Sequence, residues 1–335
     1  MHHLPALQLK VSFQMHGDCT PSHSQDHAEV FRMLAGAVQE HLHAPAVDAD
    51  TVRQIASDVV DEKLSQVTLP RPLEVHLPDG TVNRIEGPAH RQLRELLELV
   101  EEGHHNLMMV GPAGSGKTTL AKNLAAALGL EYGFISLSAG VSETHLLGRT
   151  LPESDGAWRF KPGRFVQIYE AGGVYLLDEI DAADANVMVA INAALANGQL
   201  VTTDGVIHYR HAHCFIIAAG NTWGRGGDHQ YVGRNQLDAA TLDRFVLCTL
   251  HIDYDRELEQ ALVKASLPAE TGSALIQWVE NLRTSIARNR LRRIASTRLI
   301  VNAIAALAKG RSLETVQVRY FQDWSADEKA KVCNA

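Results

Sequence analysis

The run Gly111-Pro112-Ala113-Gly114-Ser115-Gly116-Lys117-Thr118, continued by Thr119, fits G-x-x-x-x-G-K-[ST] without a mismatch and constrains the fold more than any other stretch. Such a loop belongs between a buried strand and a helix N-terminus, where backbone N–H groups and the positive helix end converge on phosphate. Both flanks are present. Asn106 to Val110 (NLMMV) is a short apolar run of the kind a buried parallel strand needs. From Lys117 the pattern turns helical, with Leu120, Leu124, Ala127 and Leu128 on one face and Gly129 at the expected C-cap. In that setting Lys117 reaches the β- and γ-phosphates and the Thr118 hydroxyl ligates Mg²⁺. The chain is therefore expected to bind a nucleoside triphosphate.

A second motif supports this. Val174-Tyr175-Leu176-Leu177 reads as a central strand, and Asp178 and Glu179 emerge at its C-terminal end, where open α/β sheets bind ligands. Asp178 is expected to hold the Mg²⁺ shell. Glu179 is expected to polarise an attacking water, the general-base task of triphosphate hydrolysis.

From Asn106 strands and helices alternate, with further strands at Phe134 to Leu137, Cys214 to Ala219 and Val246 to Leu250. That pattern predicts an α/β fold, a parallel sheet covered by helices on both faces. From Tyr254 the pattern is helical to the end, with segments near Asp255 to Ala265, Ala274 to Asn289 and Ser296 to Lys309, which predicts a separate helical lid. Upstream, Asp48 to Val67 reads as an amphipathic helix, and Leu73 to His76 and Thr81 to Ile85 alternate about Pro78-Asp79-Gly80 as a hairpin. His90 to Val100 reads as a further helix. Residues 1 to about 45 show no period and are read as a poorly ordered arm. Three parts result: a 1–70 N-terminal segment, a 71–252 nucleotide-binding domain and a 253–335 helical lid.

Composition excludes several classes. No apolar run approaches the length that spans a bilayer and no secretory leader is visible, so a cytoplasmic location is expected. The net charge of −8 argues against wholesale duplex binding. Cys19, Cys214, Cys248 and Cys333 form no CxxC pair, which suits a reducing compartment. His208, His211, His213 and Cys214 lie close in sequence, but no zinc spacing is met, and an ordinary polar strand edge is the expectation.

The motifs also carry a resemblance. GPAGSGKTT at Gly111, GGVYLLDEID at Gly172 and AAGNTWGRGGDHQYVGRNQLDAATLDRF from Ala218 to Phe245 together resemble an AAA+ ATPase of the MoxR or dynein-related branch, which includes the CobS-type cobaltochelatase subunit. The similarity runs from about Leu73 to Arg298. It implies a P-loop three-layer αβα domain with a small helical lid, ATP and Mg²⁺ as ligands, and assembly into a ring, with a hexamer expected. Asn221 matches the sensor 1 position that orients the lytic water. Arg244 in Leu242-Asp243-Arg244-Phe245 matches the arginine finger offered to a neighbouring subunit, and Arg234 is a second candidate for inter-subunit contact. Arg298 resembles sensor 2, while Arg288, Arg290, Arg292 and Arg293 beside it read as a solvated helix face.

Gly148 to Gly163 resembles the helix-2 insertion of this branch and Gly198 to Arg210 its pre-sensor hairpin; in the family both project toward the ring channel. The resemblance further implies a protein client, remodelled or activated with a von Willebrand factor A-type partner. A nucleic-acid translocase is the rival, disfavoured by net charge and by a hairpin with Arg210 as its one fixed cation. A non-hydrolysing scaffold is the third reading, which the presence of Glu179, Asn221 and Arg244 argues against. GTP is not expected, since no NKxD-type tetrapeptide follows the core motifs.

Overall fold

A computed structural model of the chain describes residues 73–333, apart from 78, 79 and 86. The arm at 1–45, the helix at Asp48 to Val67 and the Pro78-Asp79 pair all lie outside the described residues. The elements begin with β1 (Leu73–His76) and β2 (Val82–Ile85), paired antiparallel with Glu74 opposite Arg84 and His76 opposite Val82. Next come α1 (Leu93–Glu101), β3 (Asn106–Val110), α2 (Lys117–Leu128), β4 (Tyr132–Ser136) and α3 (Glu143–Leu147). The hairpin β5 (Gly148–Pro152) and β6 (Trp158–Pro162) precedes α4 (Arg164–Ala171) and β7 (Gly173–Asp178). Then follow α5 (Ala185–Asn197), the hairpin β8 (Gln199–Val201) and β9 (Ile207–Tyr209), β10 (Cys214–Gly220), α6 (Ala239–Asp243) and β11 (Thr249–His251).

Five strands form one parallel sheet in the order β11-β3-β10-β7-β4. β10 lies at its centre with all seven residues buried, so its Cys-Phe-Ile-Ile-Ala-Ala-Gly run has no polar side to alternate with. Strand geometry sends alternate side chains to opposite faces. Leu107, Met109, Val174, Leu176, Phe215 and Ile217 accordingly pack with Leu120 and Leu124 of α2 and with α1. Met108, Val110, Tyr175, Leu177, Ile216 and Ala218 pack instead with α4 and α5. Two apolar layers hold the sheet between them, the three-layer α/β arrangement of a P-loop NTPase.

The C-terminal part consists of α7 (Arg256–Ser266), α8 (Ala269–Arg288), α9 (Thr297–Leu307), α10 (Leu313–Tyr320) and α11 (Ala326–Cys333). These helices build a third apolar cluster of their own, including Leu275, Val279, Ile300 and Trp324. Glu259, nearly inaccessible, is held bidentately by Arg283 at 2.6 and 2.8 Å. Such a buried pair is costly to break from one side, about 3–5 kcal/mol.

Two expectations are corrected. The last sheet strand is Thr249–His251, not Val246 to Leu250: Leu247 has φ 64° and Cys248 N–H donates to Phe245 O at 3.0 Å, closing a turn. Val246 and Leu247 are 60% and 84% exposed, so their apolar character does not mark a strand. Of Arg288, Arg290, Arg292 and Arg293, read as a solvated helix face, only Arg288 is helical; the other three lie in the connection of α8 to α9, where Arg293 is pinned to Asp323 and Glu328 at 2.5 and 2.9 Å.

Candidate functional site

The phosphate loop follows β3 and ends on Gly116, whose φ of 99° is a left-handed conformation that glycine adopts without a Cβ penalty. At Gly111 the constraint is contact: a Cβ there would lie 2.0 Å from the Ile252 carbonyl oxygen. The loop and the start of α2 line a cavity of about 510 Å³, which Asp178, Glu179 and Asn221 border on one side and Thr297 and Arg298 on another. Pro88, His90, Leu258, Leu262 and Val301 supply its less polar walls.

Lys117 is the centre of the site. It is 7% exposed, and its Nζ donates to Gly111 O at 2.8 Å, Pro112 O at 2.9 Å and Asn221 Oδ1 at 3.1 Å. Burial lowers its pKa from 10.5 to about 8, opposed by the carboxylates of Asp178, Asp181 and Glu179. Thr118 Oγ1 donates to Asp178 Oδ2 at 2.9 Å. This hydroxyl–carboxylate pair is an all-oxygen donor set suited to a hard divalent cation such as magnesium. Ser115 Oγ, on a residue 2% exposed, finds no hydrogen-bond partner among the described residues and borders the cavity. A phosphate oxygen fits that need, as it fits the unpaired N–H groups at the α2 N-terminus. Of the remaining residues of the motif, Ala113 and Gly114 in the loop and Thr119 in the first turn of α2 stand on the cavity wall, and Pro112 lies beside them in the loop.

Glu179 directly follows β7 with φ 56°, and its N–H donates to Asp178 Oδ1 at 3.0 Å. A non-glycine residue in that region costs about 1–3 kcal/mol and points to a local demand on geometry. Asn221 lies one residue past β10, which brings its amide onto Lys117. Arg298 stands at the start of α9, on the cavity wall. Arg244 is elsewhere. It follows α6, its Nε donates to Asn192 O at 3.2 Å and its Nη1 bonds Ala240 O, and it does not line this cavity.

Arg234, the second candidate for inter-subunit contact, also makes contacts within its own chain: Nη2 lies 3.4 Å from Glu179 Oε1 and Nη1 3.4 Å from Asp181 Oδ1. Asp181, fully buried, escaped the sequence reading although it sits inside the quoted DEID run. Its Oδ2 accepts from Asn221 N at 3.1 Å, Thr222 N at 2.9 Å and Thr222 Oγ1 at 2.9 Å. Two tyrosines were also missed. Tyr231 Oη accepts from Ala113 N–H at 2.8 Å, and Tyr254 Oη donates to Ala113 O at 3.2 Å, so one residue of the phosphate loop is held by both its N–H and its carbonyl. His90 Nε2 meets Asp253 O at 3.0 Å, fixing that cavity wall to the start of the helical part.

The histidine-rich segment gives no metal cluster among the described residues. His208 is buried between Glu170 (2.7 Å) and Thr202 Oγ1 (2.9 Å). Arg210 turns inward, donating to Cys214 O at 3.1 Å, Asn106 Oδ1 at 2.7 Å and His105 O at 2.7 Å. Among the described residues no helix is long and apolar enough to cross a membrane.

Residues 106–245 match the family model of the AAA domain, dynein-related subfamily. Midasin of Dictyostelium discoideum is 27% identical over 57% of this chain and 3% of its own length. The aerobic cobaltochelatase subunit CobS of a Sinorhizobium species is 27% identical over 59% of this chain and 64% of its own. The von Willebrand factor A domain-containing protein 8 of Mus musculus is 32% identical over 39% of this chain and 7% of its own. The chain thus spans less than two thirds of each of these relatives.

Proposed function

We propose that the chain, whose residues 106–245 match the AAA domain model of the dynein-related subfamily, hydrolyses ATP at a site completed by a second copy and uses the cycle to remodel a protein client. The observation that carries this reading is the convergence of Lys117, Thr118, Asp178, Glu179 and Asn221 on one cavity large enough for a nucleotide.

The roles follow from the chemistry. The Lys117 ammonium and the α2 N-terminus attract the phosphate chain, while Pro88, Leu258, Leu262 and Val301 offer an apolar seat for the base. Thr118 and Asp178 would hold magnesium, which when bound neutralises charge on the phosphates. Glu179 accepts the proton of the attacking water, and the Asn221 amide orients that water. Arg244, remote from its own chain's cavity, suits a neighbour's phosphate; an arginine added in trans is worth about 10³–10⁵ in rate. An arginine used in trans supports a closed ring, with six copies as the proposed number.

A protein client is favoured over nucleic acid by the β8–β9 hairpin. Val201, Ile207 and Tyr209 are exposed on it, it carries no lysine or arginine between Gln199 and Tyr209, and Arg210 at its base is spent on internal carbonyls. A phosphate-tracking surface needs free cations. A von Willebrand factor A-type partner belongs to the same proposal, supported by the name of the mouse relative. Phosphate release from Mg-ATP by wild type beside Glu179→Gln tests the core claim, with a fall of about 10²–10⁴ expected for loss of a general base. Equal, negligible rates would leave a nucleotide-dependent scaffold instead.

A further inference from the structure

The proposed mechanism leaves unexplained why an arginine lies against the general base inside a single chain. Among the described residues the Arg234 guanidinium is the group that contacts the Glu179 carboxylate, at 3.4 Å, and it bridges to Asp181 at the same distance. The three side chains differ in freedom. Asp181 is fully buried and Arg234 is 15% exposed, whereas the Glu179 side chain is 44% exposed. Glutamate has three rotatable bonds, and ordering such a side chain costs about 1.5–2 kcal/mol. A base must nevertheless sit within hydrogen-bond reach of the water it deprotonates.

We propose that Arg234 is a positioning residue acting in cis, which suspends the Glu179 carboxylate from the buried Asp181 at a fixed place beside Asn221. The inference rests on Glu179 being the base of the ATPase proposed above. The planar fork sets its donors in fixed directions, Nη2 toward Glu179 and Nη1 toward Asp181, whereas an ammonium is a point charge on a flexible stem that fixes neither carboxylate.

The frame behind the arginine is fixed on several sides. Asn235 N–H donates to Asp181 O at 2.6 Å and Asn235 Nδ2 to Ala183 O at 2.9 Å, locking the residue after Arg234 onto the turn that follows β7. Leu237 N–H donates to Gly224 O at 2.9 Å, and Arg225 pairs with Gln236 as an antiparallel bridge, closing the loop on itself. Tyr231, three residues before Arg234, holds Ala113 of the phosphate loop. Asp181 in turn receives the Asn221 and Thr222 N–H groups. Base, water-orienting amide and phosphate loop are therefore referred to one loop, residues 222–238, with Arg234 as its link to the base.

The test is single-turnover and steady-state phosphate release with Mg-ATP, together with binding of a fluorescent ATP analogue. Arg234→Ala is expected to lower kcat by about 10–100-fold, the scale of a misplaced catalytic group, with KM and analogue affinity within about threefold of wild type. Arg234→Lys, which keeps the charge but not the fork, is expected to recover only part of the loss. In the Glu179→Gln background Arg234→Ala is expected to add no further loss, because its effect passes through the missing carboxylate. Wild-type kcat in both Arg234 variants, or losses that multiply in the double variant, overturns the inference. So does a variant that loses kcat, nucleotide affinity and melting temperature together, which is what mere neutralisation of Asp181 produces. Absence of turnover in wild type itself is a separate result: it removes the ATPase reading first, and this inference with it.

Discussion

Burial lowers the Lys117 pKa from 10.5 to about 8, so the folded chain carries a charge it would release more readily than the unfolded one does. Below about pH 8 both states hold the proton and the folded state bears the whole cost, about 3 kcal/mol. Between about pH 8 and 10.5 the unfolded state binds more protons, and stability rises with pH across that window. Lys117→Met is therefore expected to melt several degrees higher than wild type at pH 7 without nucleotide, with the gap narrowing toward pH 10. Analogue binding should fall about 100-fold, the loss of a charge-assisted contact worth about 2–3 kcal/mol. Scanning fluorimetry over pH measures the first and titration the second; a lower melting temperature for the variant would mean that its bonds to Gly111, Pro112 and Asn221 outweigh desolvation. Lys117, Thr118, Asp178 and Glu179 were legible in the sequence because their chemistry lies in contiguous runs next to strands. Tyr254 was not, since its partner Ala113 is 141 positions away and nothing local marks a tyrosine as a loop clamp. Arg234 was visible as a residue but not as a contact, because the direction in which a loop arginine turns depends on Asp181, which is 53 positions earlier.

The elements were legible in proportion to how fully they are buried. β3, β7 and β10 stood out because a strand covered on both faces is an unbroken apolar run, and the α2 stripe of Leu120, Leu124 and Leu128 has helical spacing. β11 was misplaced because Val246 and Leu247 are apolar yet lie in a turn, so the window was drawn three residues early. The short α3 and the final helices α10 and α11 were not delimited, since one-sided burial on a polar helix gives a weak period. The β8–β9 hairpin shows how the same residue changes meaning with direction. Arg210 read as a cation on an exposed hairpin, yet it closes the hairpin base against Asn106, His105 and Cys214. Arg210→Ala strands those acceptors and is expected to cost about 3 kcal/mol, measured by urea unfolding. Single-stranded DNA anisotropy should show no salt-dependent binding in either wild type or variant, whereas wild-type binding that the substitution abolishes would return the hairpin to nucleic acid.

For the whole molecule the separation of Arg244 from its own chain's cavity leads to an assay that no monomer can pass. Arg244→Ala and Glu179→Gln should each be inactive alone. Mixed one to one and allowed to exchange subunits, they form some seams in which an intact base from one copy meets an intact arginine from the next. Random mixing makes such seams about a quarter of the total, and phosphate release should recover toward that fraction. No recovery, in samples shown by light scattering to have co-assembled, would argue that Arg244 serves its own chain. The turn after Arg244 has a more practical outcome. Val246 and Leu247 are exposed two and three residues past Arg244, the proposed trans arginine. If Arg244 is offered to a neighbour as proposed, a subunit handled alone keeps an oily shoulder beside an unspent charge, and turbidity on concentrating the protein that clears when Mg-ATP is added becomes a bench-top gauge of that assembly.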